Sequence, residues 1–146
     1  MRIWQVYKII KKYPSTIDIE IEKTKFIAKL NKNENIYIVG TNGKLLNNNS
    51  LNSKLPFVFG NPEVKEILLL KKIIDQSKFS FTEIKKLYYF KSRRWDIEFN
   101  NKIFIKLPTK NIEETLNYIF LLHENKNMKK IKVYDARVAN QIIINE

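Results

Sequence analysis

The chain has 146 residues, 44% of them hydrophobic, which is enough for one main core and a small second unit. It contains no cysteine, which excludes disulfide bonds, thiol nucleophiles and thiolate metal sites. The net charge of +12 is almost all lysine, and we interpret it as a composition bias, because arginine is the better phosphate ligand and is scarce.

The N-terminal part of the chain shows strand patterns and one ambiguous segment. Apolar residues in segment 3–13 fit neither the helical nor the strand period, so that both structures stay open on periodicity alone. Residues 14–16 (Pro-Ser-Thr) predict a turn. In segment 17–22 isoleucines alternate with acidic residues, which predicts a half-buried strand, and segment 26–30 is also predicted to be extended.

A β-hairpin is predicted next. Apolar segments 36–39 and 44–46 flank residues 40–43 (Gly-Thr-Asn-Gly), whose Asn-Gly pair supplies the positive φ that a tight turn needs. We expect a polar loop over residues 47–54. A short apolar segment, 55–60, then ends at a glycine.

Two helices are predicted from capping residues and apolar periodicity. The first is expected over residues 62–76, with Asn61 as the N-cap and Pro62 at the first helical position. The second is expected to begin at Asn111, with Glu114 as the reciprocal capping partner. Each has an apolar face wide enough to pack on a sheet.

The other segments predict strands, at residues 84–90, 94–99, 103–107, 131–134 and 141–144. Strand 94–99 has an apolar face and a solvated charged face, formed by Trp95, Ile97 and Phe99 and by Arg94, Asp96 and Glu98. To keep the apolar residues together, Phe99 must pair with Ile103, which forces Lys102 into the left-handed conformation at about 1–2 kcal/mol. The order of elements predicts an α+β fold, with helices packed on an antiparallel sheet.

Catalytic and metal-binding patterns are missing from the sequence, so we predict that the chain is not an enzyme and holds no cofactor or metal. His123 is the single histidine, and we expect it to be a satisfied or surface residue. Segment 88–95 mixes aromatic and basic residues, as a surface for single-stranded nucleic acid would. Trp95 has the apolar parity of its strand, however, and we expect it in the core, with Arg94 on the other side and available to a partner.

Two segments carry a family resemblance. Residues 92–108 (Ser-Arg-Arg-Trp-Asp-Ile-Glu-Phe-Asn-Asn-Lys-Ile-Phe-Ile-Lys-Leu-Pro), then a helix, then residues 133–137 (Val-Tyr-Asp-Ala-Arg), resemble the C-terminal β domain of FtsQ/DivIB cell-division proteins, especially the alphaproteobacterial kind. Residues 13–19 with Ala28 resemble the end of the family's POTRA domain. Leu55 and Pro56 with Gly60 fit a further landmark.

This resemblance implies two domains: the C-terminal half of a truncated POTRA domain at residues 1–30, and an FtsQ/DivIB-type β domain at residues 31–146. It favours a strand over a helix for segment 3–13. The chain departs from the family pattern at three positions: Lys102 replaces the turn glycine, Ala136 a leucine, and Val138 a frequent aromatic residue.

For function, the resemblance implies a septum-assembly scaffold that holds the division proteins FtsB and FtsL. FtsB would bind by adding a strand beside the last strand, at Gln141, Ile142, Ile143 and Ile144. That strand would then be a sheet edge with unpaired N–H and C=O groups, the alternative being a core strand paired on both sides. The residues expected to flank the contact are Arg93, Arg94, Arg137 and Val138.

The resemblance also implies a location, the periplasmic face of the bacterial inner membrane at the division septum. Met1 falls inside the family's POTRA domain, so we expect the family's membrane anchor to be missing from this chain. The sequence itself predicts no membrane-spanning segment and no signal peptide, and hence a soluble chain. Two other functions stay open: a basic nucleic-acid-binding module, and a POTRA-type component of a secretion or outer-membrane assembly system.

Overall fold

The computed structural model describes the backbone of residues 2–12, 17–47 and 54–146, and the side chains of residues 25–47 and 54–146. Within these ranges the chain forms ten strands, two α-helices and two short 3₁₀ turns. The strands and helices are β1 (Arg2–Lys12), β2 (Ile17–Lys32), β3 (Asn35–Gly40), β4 (Leu45–Asn47), β5 (Phe57–Phe59), α1 (Val64–Gln76), β6 (Ile84–Tyr89), β7 (Trp95–Phe99), β8 (Phe104–Lys106), α2 (Ile112–Glu124), β9 (Val133–Asp135) and β10 (Ile143–Asn145).

The sheet is mixed, so the prediction of an antiparallel sheet is wrong. Its order is β10-β9-β8-β7-β6-β5-β2-β3-β4, and β1 pairs with β2 beside this path. β5 runs parallel to both β2 and β6, and β8 runs parallel to β9. Parallel neighbours need a long crossover between them, and α1 and α2 are the crossovers that join β5 to β6 and β8 to β9.

Both helices lie on one face of the sheet and cover its core. The N–H of Lys78, just after α1, donates to the side-chain carbonyl of Asn117 in α2 at 2.8 Å, and the rings of Phe79 and Phe120 meet edge-on. The largest fully buried side chains include Tyr134, Leu30, Ile67, Leu70, Ile74, Leu87, Ile97, Ile105 and Leu116. The prediction of helices packed on a sheet is therefore confirmed.

At the N-terminal end, β1 and β2 form a long antiparallel pair, which confirms a strand for segment 3–13 as far as Lys12. β2 continues without a break across residue 30, where we predicted a domain boundary, and its part from Phe26 to Lys32 pairs with β3 and β5. A POTRA domain at residues 1–30 stays a prediction. The predicted turn at residues 14–16, the burial of residues 17–22 and most of the loop at 47–54 lie outside the described residues.

Neither helix is capped as the sequence predicts. Helix α1 begins at Val64 with Glu63 as its N-cap, and Asn61 lies two residues before that cap with a left-handed backbone at φ 59°. Helix α2 does follow Asn111, but that residue is left-handed as well and its side chain makes no capping hydrogen bond. Its carbonyl instead accepts hydrogen bonds from the N–H and the hydroxyl of Thr115, at 3.0 and 2.8 Å.

Both predicted tight connections are confirmed. The N–H of Phe99 donates to the carbonyl of Ile103 at 2.9 Å, and Lys102 has the left-handed φ of 73° that this pairing demands. In the first hairpin the N–H of Gly43 donates to the carbonyl of Gly40 at 3.0 Å, and Gly43 has a φ of 82°. The turn chemistry thus sets the register of both strand pairs.

Candidate partner-binding edge

Strand β10 forms one end of the sheet. Among the described residues it pairs with β9 alone, in an antiparallel register that matches Ile143 with Asp135 and Ile144 with Tyr134. Every second residue of such a strand directs its N–H and C=O away from the sheet, where another strand can use them. This is the position that strand addition requires.

The three consecutive isoleucines have three different environments. The predicted strand at residues 141–144 is observed at Ile143–Asn145, so Gln141 and Ile142 lie just before it. Ile142 is half-buried and packs against the core. Ile144 lies in the row of Tyr134, on the helix-covered side, and is 43% exposed. Ile143 lies in the row of Asp135, on the opposite side, and is 51% exposed. The edge therefore presents one apolar side chain on each face, and Gln141 before it is exposed.

Arg137 stands beside this edge, held by Asp135 of β9. Its Nε donates to Oδ1 at 2.9 Å and its Nη2 to Oδ2 at 2.7 Å, a bidentate pair. The hydrogen bonds from Arg137 lower the pKa of the Asp135 carboxyl. Sequence reasoning missed this pair, although an Asp-x-Arg spacing in extended chain, with both side chains on one face, is the signal for it.

Arg94 is engaged within the fold and its side chain is 15% exposed, so its availability to a partner stays a prediction. Its guanidinium is bonded to Asp96, donates to the carbonyl of Leu107 at 3.4 Å, and lies 4.5 Å from the ring centre of Phe90. Asp96 is only 5% exposed, so the face predicted to be solvated is buried at this point. The reason is that β7 lies inside the sheet, between β6 and β8, and side chains on both neighbours cover its charged row.

The predicted site residues therefore fall into two groups. Val138 is 57% exposed in the turn that leads into β10, close to Arg137. Arg93 is exposed in a turn with φ 65°, but that turn precedes β7, which is three strands inward from β10. At a strand spacing of about 4.8 Å, the backbone of β7 lies roughly 14 Å from that of β10. The hydrogen bond to Asp135 raises the pKa of Arg137 beside the edge. Asp96, which binds Arg94, nevertheless contributes to raising this pKa.

His123 and Trp95 have the structural roles that we expected. Nδ1 of His123 lies 2.7 Å from the hydroxyl of Tyr134, and burial, together with Lys129 and Lys132, lowers the pKa of the imidazole. Trp95 is 5% exposed and its ring meets that of Tyr89, so it offers no face for a nucleic-acid base. In the described part of the chain no group of three or more His, Asp or Glu residues could hold a metal ion.

Known proteins resemble this chain over most of its length. Residues 28–137 match the family described as "Cell division protein FtsQ/DivIB, C-terminal". The "Cell division protein FtsQ" of Rickettsia typhi is 29% identical over 97% of this chain, and that of Rickettsia prowazekii is 28% identical over the same share. The chain spans about half the length of these relatives, 54% in each case.

A solved structure has a similar fold. It is the major extracytoplasmic domain of the cell-division protein DivIB from Geobacillus stearothermophilus, which superposes with a TM-score of 0.51 over 73% of this chain and 96% of that domain. The two sequences are 12% identical, so this likeness concerns the fold. Among the described residues no helix has the length and apolar character needed to cross a membrane.

Proposed function

Because the chain belongs to the FtsQ/DivIB family of cell-division proteins, we propose that it is a non-enzymatic scaffold of septum assembly, which binds an FtsB-type partner by strand addition along β10. FtsL-type proteins and other divisome components are the further partners of this scaffold. The proposal includes the family's location, at the periplasmic face of the inner membrane, and a POTRA domain of which residues 1–30 are the last part.

The position of β10 is the observation that supports this proposal most strongly. An edge strand with apolar side chains on both faces is an aggregation hazard in a protein that never pairs it, and proteins usually protect such edges with charges or prolines. Here the edge presents Ile143 and Ile144, which are about half exposed, at positions where a protected edge would have charged residues or prolines. A partner strand would satisfy the outer backbone groups and cover both side chains at once.

Arg137 supplies polar specificity next to that edge. Two of the five N–H donors of a guanidinium engage Asp135 in the free chain, so the remaining donors can meet a carboxylate of the partner. The Asp135 carboxylate holds the fork in place beforehand, which reduces the entropy lost on binding. The partner strand that fits therefore has apolar residues at two adjacent positions, one on each face, and carries an acidic residue.

Calorimetric titration of the chain with the extracytoplasmic segment of an FtsB-type protein tests the proposal. We expect saturable binding, and we expect it to be lost in a variant that ends at Asn140 and so lacks β10. Circular dichroism must show that this variant is folded, because Ile142 packs against the core. Absence of binding by the full chain at roughly tens of micromolar would contradict the proposal.

A further inference from the structure

A second surface feature lies far from β10, near β2 at the other half of the sheet. It is a cleft of about 670 Å³ between β2, the segment before β5 and the residues that follow α1. Its walls are mostly apolar, and they are formed by Phe26, Ile27, Leu55, Pro56, Phe79 and Phe81. This volume lies within the range of about 300–1,000 Å³ that small-molecule sites occupy.

The charged residues around the cleft are mainly cationic. Lys25, Lys54 and Lys71 line it, and Asp75 is the acidic residue among its lining side chains. Lys71 already bonds to Asp75 at 2.5 Å and lies 5.4 Å from the ring centre of Phe81. Within the described part of the chain the ammonium groups of Lys25 and Lys54 have no ion-pair partner. Both residues are exposed, so a bound anion can reach their ammonium groups.

Two backbone carbonyls in the cleft walls already accept hydrogen bonds from the chain. The N–H of Thr41 donates to the carbonyl of Lys25 at 2.8 Å, and the N–H of Lys29 donates to the carbonyl of Pro56 at 2.9 Å. A peptide strand would have no backbone partner at these two carbonyls, whereas an aliphatic chain needs none. The cleft is thus better suited to an acyl chain than to an extended peptide.

We propose that this cleft binds a single-chain anionic amphiphile. Its aliphatic chain lies on the apolar walls, and its carboxylate or phosphate head lies between Lys25 and Lys54. Burial of the chain drives binding, and the two lysines select for the negative charge. The cleft is separate from β10, so the test of amphiphile binding is independent of the test of partner binding at β10.

The test is a titration of the 146-residue chain, followed by amide chemical shifts, with four probes, of which the three amphiphiles are kept below their critical micelle concentrations. Laurate and lauroyl-lysophosphatidylglycerol carry both a chain and a negative charge; dodecyl maltoside has the chain alone, and inorganic phosphate the charge alone. We expect saturable one-to-one binding of at least one anionic amphiphile, with shifts at residues 25–27 and 79–82. Tighter binding of laurate would identify a fatty acid, and tighter binding of the lysophospholipid a membrane lipid.

Two paired variants decide the role of the lysines. The double variant K25Q/K54Q should raise the Kd for the anionic amphiphile by about tenfold or more, since hydrogen bonds to charged groups are stronger than those between neutral groups. K72Q with K110Q removes two exposed lysines outside the cleft and should leave binding unchanged. The proposal is overturned if neither anionic amphiphile binds, if the K25Q/K54Q variant binds it as tightly as the unaltered chain, or if dodecyl maltoside binds as tightly as the anionic amphiphiles.

Discussion

Replacement of the two exposed isoleucines of β10 by serine should weaken partner binding and leave the fold intact. Ile143 is 51% and Ile144 is 43% exposed, so about half of each side chain is still uncovered in the free chain. Full burial of an isoleucine side chain contributes about 1.5–3 kcal/mol, so burial of the exposed half of each side chain by the partner contributes about 1 kcal/mol to the free energy of binding. The double variant I143S/I144S should therefore raise the Kd for the FtsB-type segment by about 30-fold.

Isothermal titration calorimetry measures this change, and the opposite edge of the sheet supplies a matched control. Leu46 lies in β4, the other terminal strand, and is 38% exposed. L46S removes a similar apolar side chain from an edge strand and should leave the Kd unchanged. The reasoning is refuted if I143S/I144S binds as tightly as the unaltered chain while both variants are folded, or if L46S is the variant that weakens binding.

Three further predictions concern stability, each measured by urea denaturation. G60A should destabilise the chain by more than about 2 kcal/mol, because φ is +98° there and an added Cβ would lie 1.9 Å from the backbone carbonyl of Tyr89; near-normal stability would contradict this conformation. K102G should stabilise the chain by about 0.5–1 kcal/mol, since glycine avoids most of the left-handed strain at φ 73°. The control N100G changes a position without positive φ and should not stabilise the chain. The pKa of His123 in the folded chain lies below 6.5, so the unfolded chain is protonated at a higher pH than the folded one, and stability falls as the pH drops below 6.5. H123Q should flatten this part of the plot of stability against pH. An unchanged plot would show that other groups cause the pH dependence.

Local patterns predicted the interior of the sheet well. The alternation of Trp95, Ile97 and Phe99 placed all three side chains in the core, and all three are buried. The same alternation fixed the pairing of Phe99 with Ile103, and from it the unusual backbone of Lys102. Both inferences depend only on the period of a strand and on the geometry of one short turn, which are local properties.

Properties that depend on distant neighbours were not predictable in the same way. The charged face of β7 was expected to meet solvent, yet Asp96 is buried, because β6 and β8 flank it with side chains of their own. The parallel strands were missed because each helix was treated as a cover for the sheet and not as a crossover. Asn111 precedes α2 as predicted, but its backbone is left-handed and its side chain makes no capping hydrogen bond.

The candidate edge was predicted in part. The isoleucine-rich end of the chain predicted a strand, and its place at one end of the sheet follows from the crossover through α2, which brings β9 beside β8 and leaves β10 outermost. Arg93 and Arg94 were grouped with this edge through family resemblance. A motif shared with a family does not reveal that β7, which follows these arginines, lies three strands away from β10 in the sheet.

Cross-strand nuclear Overhauser effects in the complex of this chain with an isotope-labelled FtsB-type segment would examine strand addition itself. We expect contacts between backbone protons of the partner and those of Ile143, Ile144 and Asn145, in the regular pattern of paired strands, together with slowed amide exchange at β10. A complex in which β10 shows neither these contacts nor slowed exchange, and the partner lies elsewhere on the chain, would contradict the proposed mode of binding.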